Sequence, residues 1–294
     1  MAGMLSMVGT PIGNLSDASP RVLDTLRAAD VLLCEDTRVT SKLLARFQIR
    51  VPLVRADENV LAERVAEVVA RVEAGERVAF VSDAGMPGIS DPGQRLVDAV
   101  LDAGLPVEVI PGPSAVTCAI AGSGLAADHF FFEGFLPRKD GAARARLREL
   151  AVVPGALVIY ESPRRAEDTL SRIADALAGR RVALLRELTK LHEECLRGEA
   201  RELAGMVAAR IAEQGELRGE CVIVVEMPSS EQLAAALQAL GRDDAQEPQS
   251  LEEAIDAGLA AGEPKTKLAK RLAKAFALNR AEVYDTVVAR SSAQ

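Results

Sequence analysis

Asp83, Ser90 and Asp91 stand in one loop, Asp83-Ala84-Gly85-Met86-Pro87-Gly88-Ile89-Ser90-Asp91-Pro92-Gly93, and can accept hydrogen bonds from a sugar or an ammonium group. Its glycines allow close approach of a ligand to the backbone, and its prolines limit flexibility. A plain turn rarely needs so long a defined loop. A second loop of the same kind is Pro111-Gly112-Pro113-Ser114-Ala115. Each directly follows a short β-branched run, Val78–Val81 or Val107–Ile110. Such runs read as buried strands, and open α/β sheets bind ligands just outside the carboxyl ends of their strands. Gly9-Thr10-Pro11-Ile12-Gly13-Asn14 follows the first strand-like run in the same way. It is neither a Gly-Lys-Ser/Thr phosphate loop nor a G-x-G-x-x-G dinucleotide fingerprint. Pro11 removes a donor and stiffens it, which suits a shaped wall or a tight strand-to-helix turn.

Charged side chains gather at the same strand ends: Glu35, Asp36, Glu161, Glu187 and Lys190. Each can serve chemistry or simply tie loops together in a salt bridge, and the residues alone leave both open.

The elements that must position these groups alternate over the first hundred-odd residues. Strand signals lie at Met4–Val8, Val31–Cys34 and Val51–Val54, with helices near Pro20–Ala29, Val39–Arg46 and Asn59–Ala74. Alternation of this kind predicts a parallel sheet covered on both faces. A second α/β unit is expected from strands at Phe130–Phe135, Ala156–Tyr160, Val182–Leu185 and Cys221–Glu226, with helices over Ala142–Leu150, Arg164–Ala178 and Ala200–Ala212. An antiparallel edge is expected around Leu196 and Cys221 through a hairpin-like return. The hinge between the units falls near Pro111–Ser114, giving domains over 1–112 and 113–227. A linker with a short helix follows over 228–249, then a helical module over 250–294. That module reads as three amphipathic helices, Leu251–Ala261, Lys265–Ala277 and Glu282–Arg290. The middle one buries Leu268, Leu272 and Phe276 and leaves Lys267, Lys270, Arg271 and Lys274 outside. Its size fits a helix-turn-helix-like nucleic-acid contact or plain packing.

With 49% hydrophobic residues the chain can bury a sizeable core, and no stretch approaches the roughly 18 to 20 apolar residues of a membrane span. Without a basic, signal-like leader it reads as cytoplasmic. Its four cysteines, Cys34, Cys118, Cys195 and Cys221, form no C-x-x-C pair and read as reduced thiols, and no ligand cluster suggests a metal. Two histidines, His129 and His192, leave little material for a Ser-His-Asp triad or a His-based zinc site. A net charge of −8 argues against indiscriminate polyanion binding. Basic residues nevertheless cluster at Arg138, Lys139, Arg144, Arg146 and Arg148, and again along the C-terminal module, as solvated helix faces or as contacts for a polyanion.

Seven segments in order carry a more specific resemblance: Leu5–Leu15, Cys34-Glu35-Asp36-Thr37-Arg38, Val81–Gly93, Ile110–Thr117, Glu133-Gly134-Phe135-Leu136-Pro137, Tyr160–Arg165 and Arg186–Glu194. Together they resemble the ribosomal RNA small subunit methyltransferase I branch of the tetrapyrrole methylase superfamily; Cys118, where alanine is expected, is a small departure. The resemblance implies a pair of α/β domains with a cofactor cleft between them, plus a small C-terminal helical module. It implies an S-adenosylmethionine-dependent enzyme, typically a homodimer, that methylates the ribose 2′-hydroxyl of cytidine 1402 in 16S rRNA of the small ribosomal subunit.

Carried onto this chain, the resemblance makes the cofactor walls Thr10 and Pro11; Asp83, Ala84, Gly85, Met86, Pro87, Ile89 and Ser90; Pro111, Gly112, Ser114, Ala115 and Thr117; Tyr160 and Glu161; and the Arg218-Gly219-Glu220 turn. Methyl transfer from a sulfonium needs positioning above all, with help in removing the ribose proton. Glu161, Glu187 and Lys190 form the preferred catalytic cluster, with Asp36 and Glu35 as further candidates. Arg38 and Arg165 would clamp phosphates, and Arg138, Lys139, Arg144, Arg146, Lys267, Lys270, Arg271 and Lys274 would position the RNA. With aromatic residues at 3% and no Trp, the RNA is expected to be held by backbone and shape rather than by stacking. Competing readings are methylation of a tetrapyrrole or a modified protein histidine on the same architecture, and a ligand-sensing nucleic-acid-binding protein.

Overall fold

Met4–Val8 (β1) alternates sides as a strand buried on both faces must: Leu5 and Met7 enter one apolar cluster and Val8 the other. A computed structural model describes residues 3–90, 93–125, 128–246, 250–260, 263–276 and 278–293. The chain divides into two compact units, Met1–Pro228 and Ser229–Gln294.

In the first unit, β1 is followed by α1 (Pro20–Ala28), β2 (Val31–Cys34), α2 (Thr37–Arg46), β3 (Leu53–Arg55), α3 (Leu61–Glu73), β4 (Arg77–Val81), α4 (Gln94–Asp102) and β5 (Val107–Ile110). Local chemistry sets the helix starts. Ser19 accepts the Val22 N–H with Pro20 in the first turn, and Asp36 accepts the Arg38 N–H. The five strands form a wholly parallel sheet in the order β3-β2-β4-β1-β5. Leu61, Val68, Val72, Leu96 and Val100 of α3 and α4 cover one face around fully buried Phe80. Val22, Leu26 and Leu44 of α1 and α2 cover the other. Burying a side chain such as Phe80 contributes about 1.5–3 kcal/mol.

The chain then crosses at Pro111–Ser114 to α5 (Ala115–Ser123), whose Val116 and Ala119 pack on a second sheet. There follow β6 (Phe130–Phe135), α6 (Asp140–Leu150), β7 (Ala156–Glu161), α7 (Ala166–Ala176), β8 (Arg181–Arg186), β9 (Glu194–Glu199), α8 (Ala200–Gln214) and β10 (Cys221–Val225). This sheet runs β6-β7-β10-β8-β9: β6 and β7 are parallel, and every other neighbouring pair is antiparallel. The expected antiparallel edge exists, but Leu196 and Cys221 do not share it. Leu196 lies on β9 and pairs with Leu184 of β8 as an edge hairpin. Cys221 lies on β10 at the centre of the sheet, between Glu161 and Arg186. The physical reason is burial. The polar, alternating sequence Glu194–Glu199 suits an edge, whereas every residue from Cys221 to Val225 is buried.

The second unit holds α9 (Ser230–Gln246), α10 (Leu251–Ala260), α11 (Lys265–Ala275) and α12 (Arg280–Ala293). The linker helix is thus 17 residues, longer than expected. Ile255, Leu268, Leu272, Val283 and Val287 form the core of the last three helices, with Phe276 packed against it. Asn279 caps α12 by accepting the Ala281 N–H at 2.9 Å. Lys267, Lys270, Arg271 and Lys274 are exposed, although Arg271 is ion-paired with Glu263 at 2.7 Å.

Candidate active site

Within the first unit the strand-end loops of both sheets enclose a cavity of about 370 Å³. Ala84, Gly85, Met86, Ile89 and Ser90 of the long loop after β4 form one wall. Ser114 and Ala115 at the crossover, Tyr160 to Pro163 after β7, and Glu220, Cys221 and Val222 at the start of β10 form the others, with Ile12 and Phe135 closing the sides. The loop after β1 is fixed to the long loop by a reciprocal pair of backbone bonds between Thr10 and Gly85, at 2.9 and 3.1 Å. Gly9 meets Gly112 without room for a side chain: a Cβ on Gly9 would lie 2.6 Å from the Gly112 nitrogen. Ser90, Glu187 and Thr189 have positive φ, an uncommon backbone state for non-glycine residues that collects at functional loops.

On the rim, Lys190 Nζ donates to Glu187 Oε1 at 2.8 Å and to Glu220 Oε2 at 3.0 Å. Glu187 Oε1 also accepts the Glu220 N–H at 3.0 Å. The hydrogen bond from Lys190 holds the Glu187 carboxyl below the usual range. Burial pushes the Lys190 ammonium down, but its hydrogen bonds to the two carboxylates outweigh this and its pKa is raised. Lys190 is therefore a cation at neutral pH, and the Glu220 carboxylate, on a side chain 77% exposed, is the accessible acceptor. Burial pushes the Cys221 thiol up to about 12, leaving it inert as a nucleophile.

Residues 4–204 match the model of the tetrapyrrole (corrin/porphyrin) methylases. The ribosomal RNA small subunit methyltransferase I of Mesorhizobium japonicum is 46% identical over 214 residues, 72% of this chain and 73% of that protein. The protein of the same name from Streptococcus pyogenes is 37% identical over 286 residues, 96% of this chain and 94% of the other. The chain belongs to the ribosomal RNA small subunit methyltransferase I family. Its fold is shared with the uroporphyrin-III C-methyltransferase of Thermus thermophilus, solved in complex with S-adenosylhomocysteine. That likeness has a TM-score of 0.53 at 19% identity and covers 76% of this chain and 96% of the other.

In this family member the structure brings together ten of the expected wall residues: Ala84, Gly85, Met86, Ile89, Ser90, Ser114, Ala115, Tyr160, Glu161 and Glu220. The others do not line the cavity. Thr10 is buried in its bridge to Gly85, and Pro11 and Pro87 are buried beside it. Asp83 accepts the Asp36 N–H and receives none of the cavity. Pro111 and Gly112 turn the chain, Thr117 donates to the Ser114 carbonyl, and Gly219 gives Glu187 its space. Asp91 lies outside the described residues. Among the catalytic candidates, Asp36 caps α2 and pairs with Arg38, and Glu35 accepts the Asp83 N–H; neither lines the cavity. Arg38 is correspondingly tied to Asp36.

Glu161 lines the cavity, but its carboxylate is committed. Oε1 accepts the Ser162 N–H and Oε2 the Thr169 hydroxyl, both at 2.7 Å, with Arg165 at 3.4 Å. Arg165 itself donates to the Leu136 and Pro137 carbonyls, which fastens two loops. Arg144 is paired with Asp140 and Asp175, and Arg146 with Glu133 and Glu149, whereas Arg138 and Lys139 are exposed. Sequence reasoning missed Ile12, Phe135, Ser162, Pro163, Cys221 and Val222 as lining. All but the last two lie inside segments already singled out, and those two begin the central strand.

Proposed function

We propose that this chain transfers the methyl group of S-adenosylmethionine to the ribose 2′-oxygen of cytidine 1402 in 16S rRNA. The observation that carries the reading is the cavity at the joined strand ends with the Glu187–Lys190–Glu220 cluster on its rim, in a chain whose relatives are named for small-subunit rRNA. The lining fits the cofactor. Tyr160, Phe135, Ile12, Met86 and Val222 offer apolar surface for a flat base, Ser90 and Ser114 offer hydroxyls for a sugar, and the carboxylate of Glu220 suits a cation. The cofactor supplies a methyl group on a positively charged sulfur.

The protein's part is to hold the acceptor oxygen in line and to keep water out. A ribose hydroxyl is a poor nucleophile at neutral pH. In this reading the Glu220 carboxylate takes the hydroxyl proton as the bond to the methyl carbon forms, while charged Lys190, bonded to Glu220 Oε2, holds that carboxylate in place. Glu187 orients Lys190, and Glu161 holds the Ser162-Pro163 wall. Arg138, Lys139, Lys267, Lys270 and Lys274 are exposed and position the RNA. The reading includes a homodimer working in the cytoplasm; no helix among the described residues is long and apolar enough to cross a membrane.

The test incubates the purified protein with radiolabelled S-adenosylmethionine and unmodified small subunits, then maps the label. Label on the 2′-oxygen of cytidine 1402 is expected. Label on a base, or none on RNA while the cofactor binds, would refute the reading.

A further inference from the structure

Beside the cavity, a second crevice of about 600 Å³ is built from Arg186, His192, Glu194, Arg210, Glu216 and Arg218. Its floor is an arginine pair sharing one carboxylate. Arg210 donates to both oxygens of Glu194 at 2.6 and 2.7 Å, and Arg186 to Oε2 at 3.1 Å. Arg186 also donates to the Arg218 carbonyl at 3.0 Å, which fixes the Arg218-Gly219-Glu220 turn over the floor. Arg218, with its side chain 83% exposed, pairs only with Glu216 on the surface among the described contacts.

Three guanidiniums line the crevice with the Glu194 and Glu216 carboxylates, and Glu213 and Glu187 act on Arg210 and Arg186 from beside it, in a protein whose net charge is −8. Each guanidinium carries five N–H donors in a planar fork, and the internal contacts occupy only part of them. Glu194 holds two of the forks in place without cancelling their combined charge, so an entering anion meets oriented donors.

The crevice and the cavity draw on the two sides of one turn. Glu220 lines the cavity and Arg218, two residues earlier, lines the crevice. At the strand ends Glu161, Cys221, Arg186 and Glu194 stand in one register row across β7, β10, β8 and β9. With strands about 4.8 Å apart, the Arg186 backbone is about 5 Å from Cys221 and about 10 Å from Glu161. That is the scale of one nucleotide step from a ribose held at the cavity mouth.

We propose that this crevice seats a backbone phosphate of the RNA strand whose ribose is presented to the cavity, an assignment that rests on the rRNA reading above. The bound group is a phosphodiester, held by arginine forks without reading a base, and it sets the register of the target nucleotide.

The test titrates unmodified small ribosomal subunits against the intact protein from about 50 to 200 mM salt. Arg210→Gln is expected to weaken binding about tenfold and to flatten the slope of log affinity against log salt by roughly 0.7 per lost contact. S-adenosylmethionine affinity, measured by calorimetry, reports that the variant remains folded. Arg218→Ala removes an exposed side chain and is expected to act in the same direction if Arg210→Gln proves unstable. Unchanged affinity and salt slope in both variants would reduce the crevice to an internal ion-pair cluster and overturn the proposal. A wild-type protein that neither binds nor methylates subunits would overturn the rRNA reading itself.

Discussion

Replacing Gly219 by alanine should disable the rim cluster without touching a charged residue. Gly219 has φ +96°, and a Cβ there would lie 2.4 Å from Glu187 Cγ, 2.5 Å from its Cδ and 2.6 Å from its Oε1. The whole carboxylate must move, because three successive atoms are met at once. Movement breaks the hydrogen bonds that Glu187 Oε1 accepts from Lys190 and from the Glu220 N–H. The backbone state costs about 1–2 kcal/mol for a residue with a side chain. Losing a charge-assisted hydrogen bond costs about 1.5–3 kcal/mol, and both partners are mostly shielded from solvent. The expected sum is about 3–5 kcal/mol. For a unit ending at Pro228 this corresponds to a fall in Tm of about 6–20 °C, readable by scanning calorimetry. The double variant Gly219→Ala, Glu187→Ala separates the contributions, since without the carboxylate only backbone strain remains to be added. The two substitutions should therefore be less than additive by about 1.5–3 kcal/mol. A Gly219→Ala protein as stable as the wild type, or strict additivity in the double variant, would refute the packing argument.

Thr169→Val should lower Tm by about 5–10 °C, because it leaves Oε2 of buried Glu161 without its hydroxyl donor, whereas Thr169→Ser should restore most of the loss. Lys190→Met should reduce kcat/KM for subunits about 100-fold and Lys190→Arg much less, if the side chain acts as a cation; equal losses would point to shape instead. The pH dependence of the cluster follows from its two shifts. The lowered Glu187 pKa stabilises the fold above the unfolded value near 4.3 and this is lost as pH falls through the folded pKa. The raised Lys190 pKa stabilises it below the unfolded value near 10.4 and this is lost as pH rises through the folded one. Thermal melts should therefore show this pair's full contribution, with no pH dependence from it, between about pH 6 and 9. Iodoacetamide at pH 8 should label exposed Cys195 well before buried Cys221, as mass spectrometry of digests will read; early Cys221 labelling would contradict its burial. Ending the chain at Met227 should weaken methylation of subunits about tenfold or more, through loss of the exposed Lys267, Lys270 and Lys274, and leave cofactor affinity intact. An unchanged KM would remove the C-terminal module from RNA positioning.

The first sheet was legible because each of its strands carries its own signal. Val31–Cys34 and Val78–Val81 are short, apolar and bounded by turn residues, and the parallel pairing follows from the helices between them. Pairing in the second sheet was less legible, since strand order depends on which apolar segment claims the centre. β9, with three charged residues and no sustained apolar run, gives a weak strand signal and was readable only as part of a return. β10 is uniformly apolar, a pattern that marks burial without saying which neighbours it will have.

The site divides along a similar line. Loop composition located the cavity wall, because close backbone approach requires glycine at stated positions, and Ala84–Met86 and Ser114-Ala115 do line the cavity. Charge located the strand ends but not the roles, because a carboxylate beside a loop satisfies whichever donor is nearest. Asp36 finds the first N–H groups of α2, and Glu161 finds Ser162 and Thr169. Neither partner is implied by residue type. Glu220 escapes that fate because its neighbour Glu187 takes the backbone N–H of Glu220 itself and shares Lys190 with it, which leaves the Glu220 carboxylate facing the cavity from an exposed side chain. Glu220, paired with Lys190 through one oxygen, is the acid left exposed at the cavity wall, and that selection is made by the φ +55° turn at Glu187 and the φ +96° turn at Gly219.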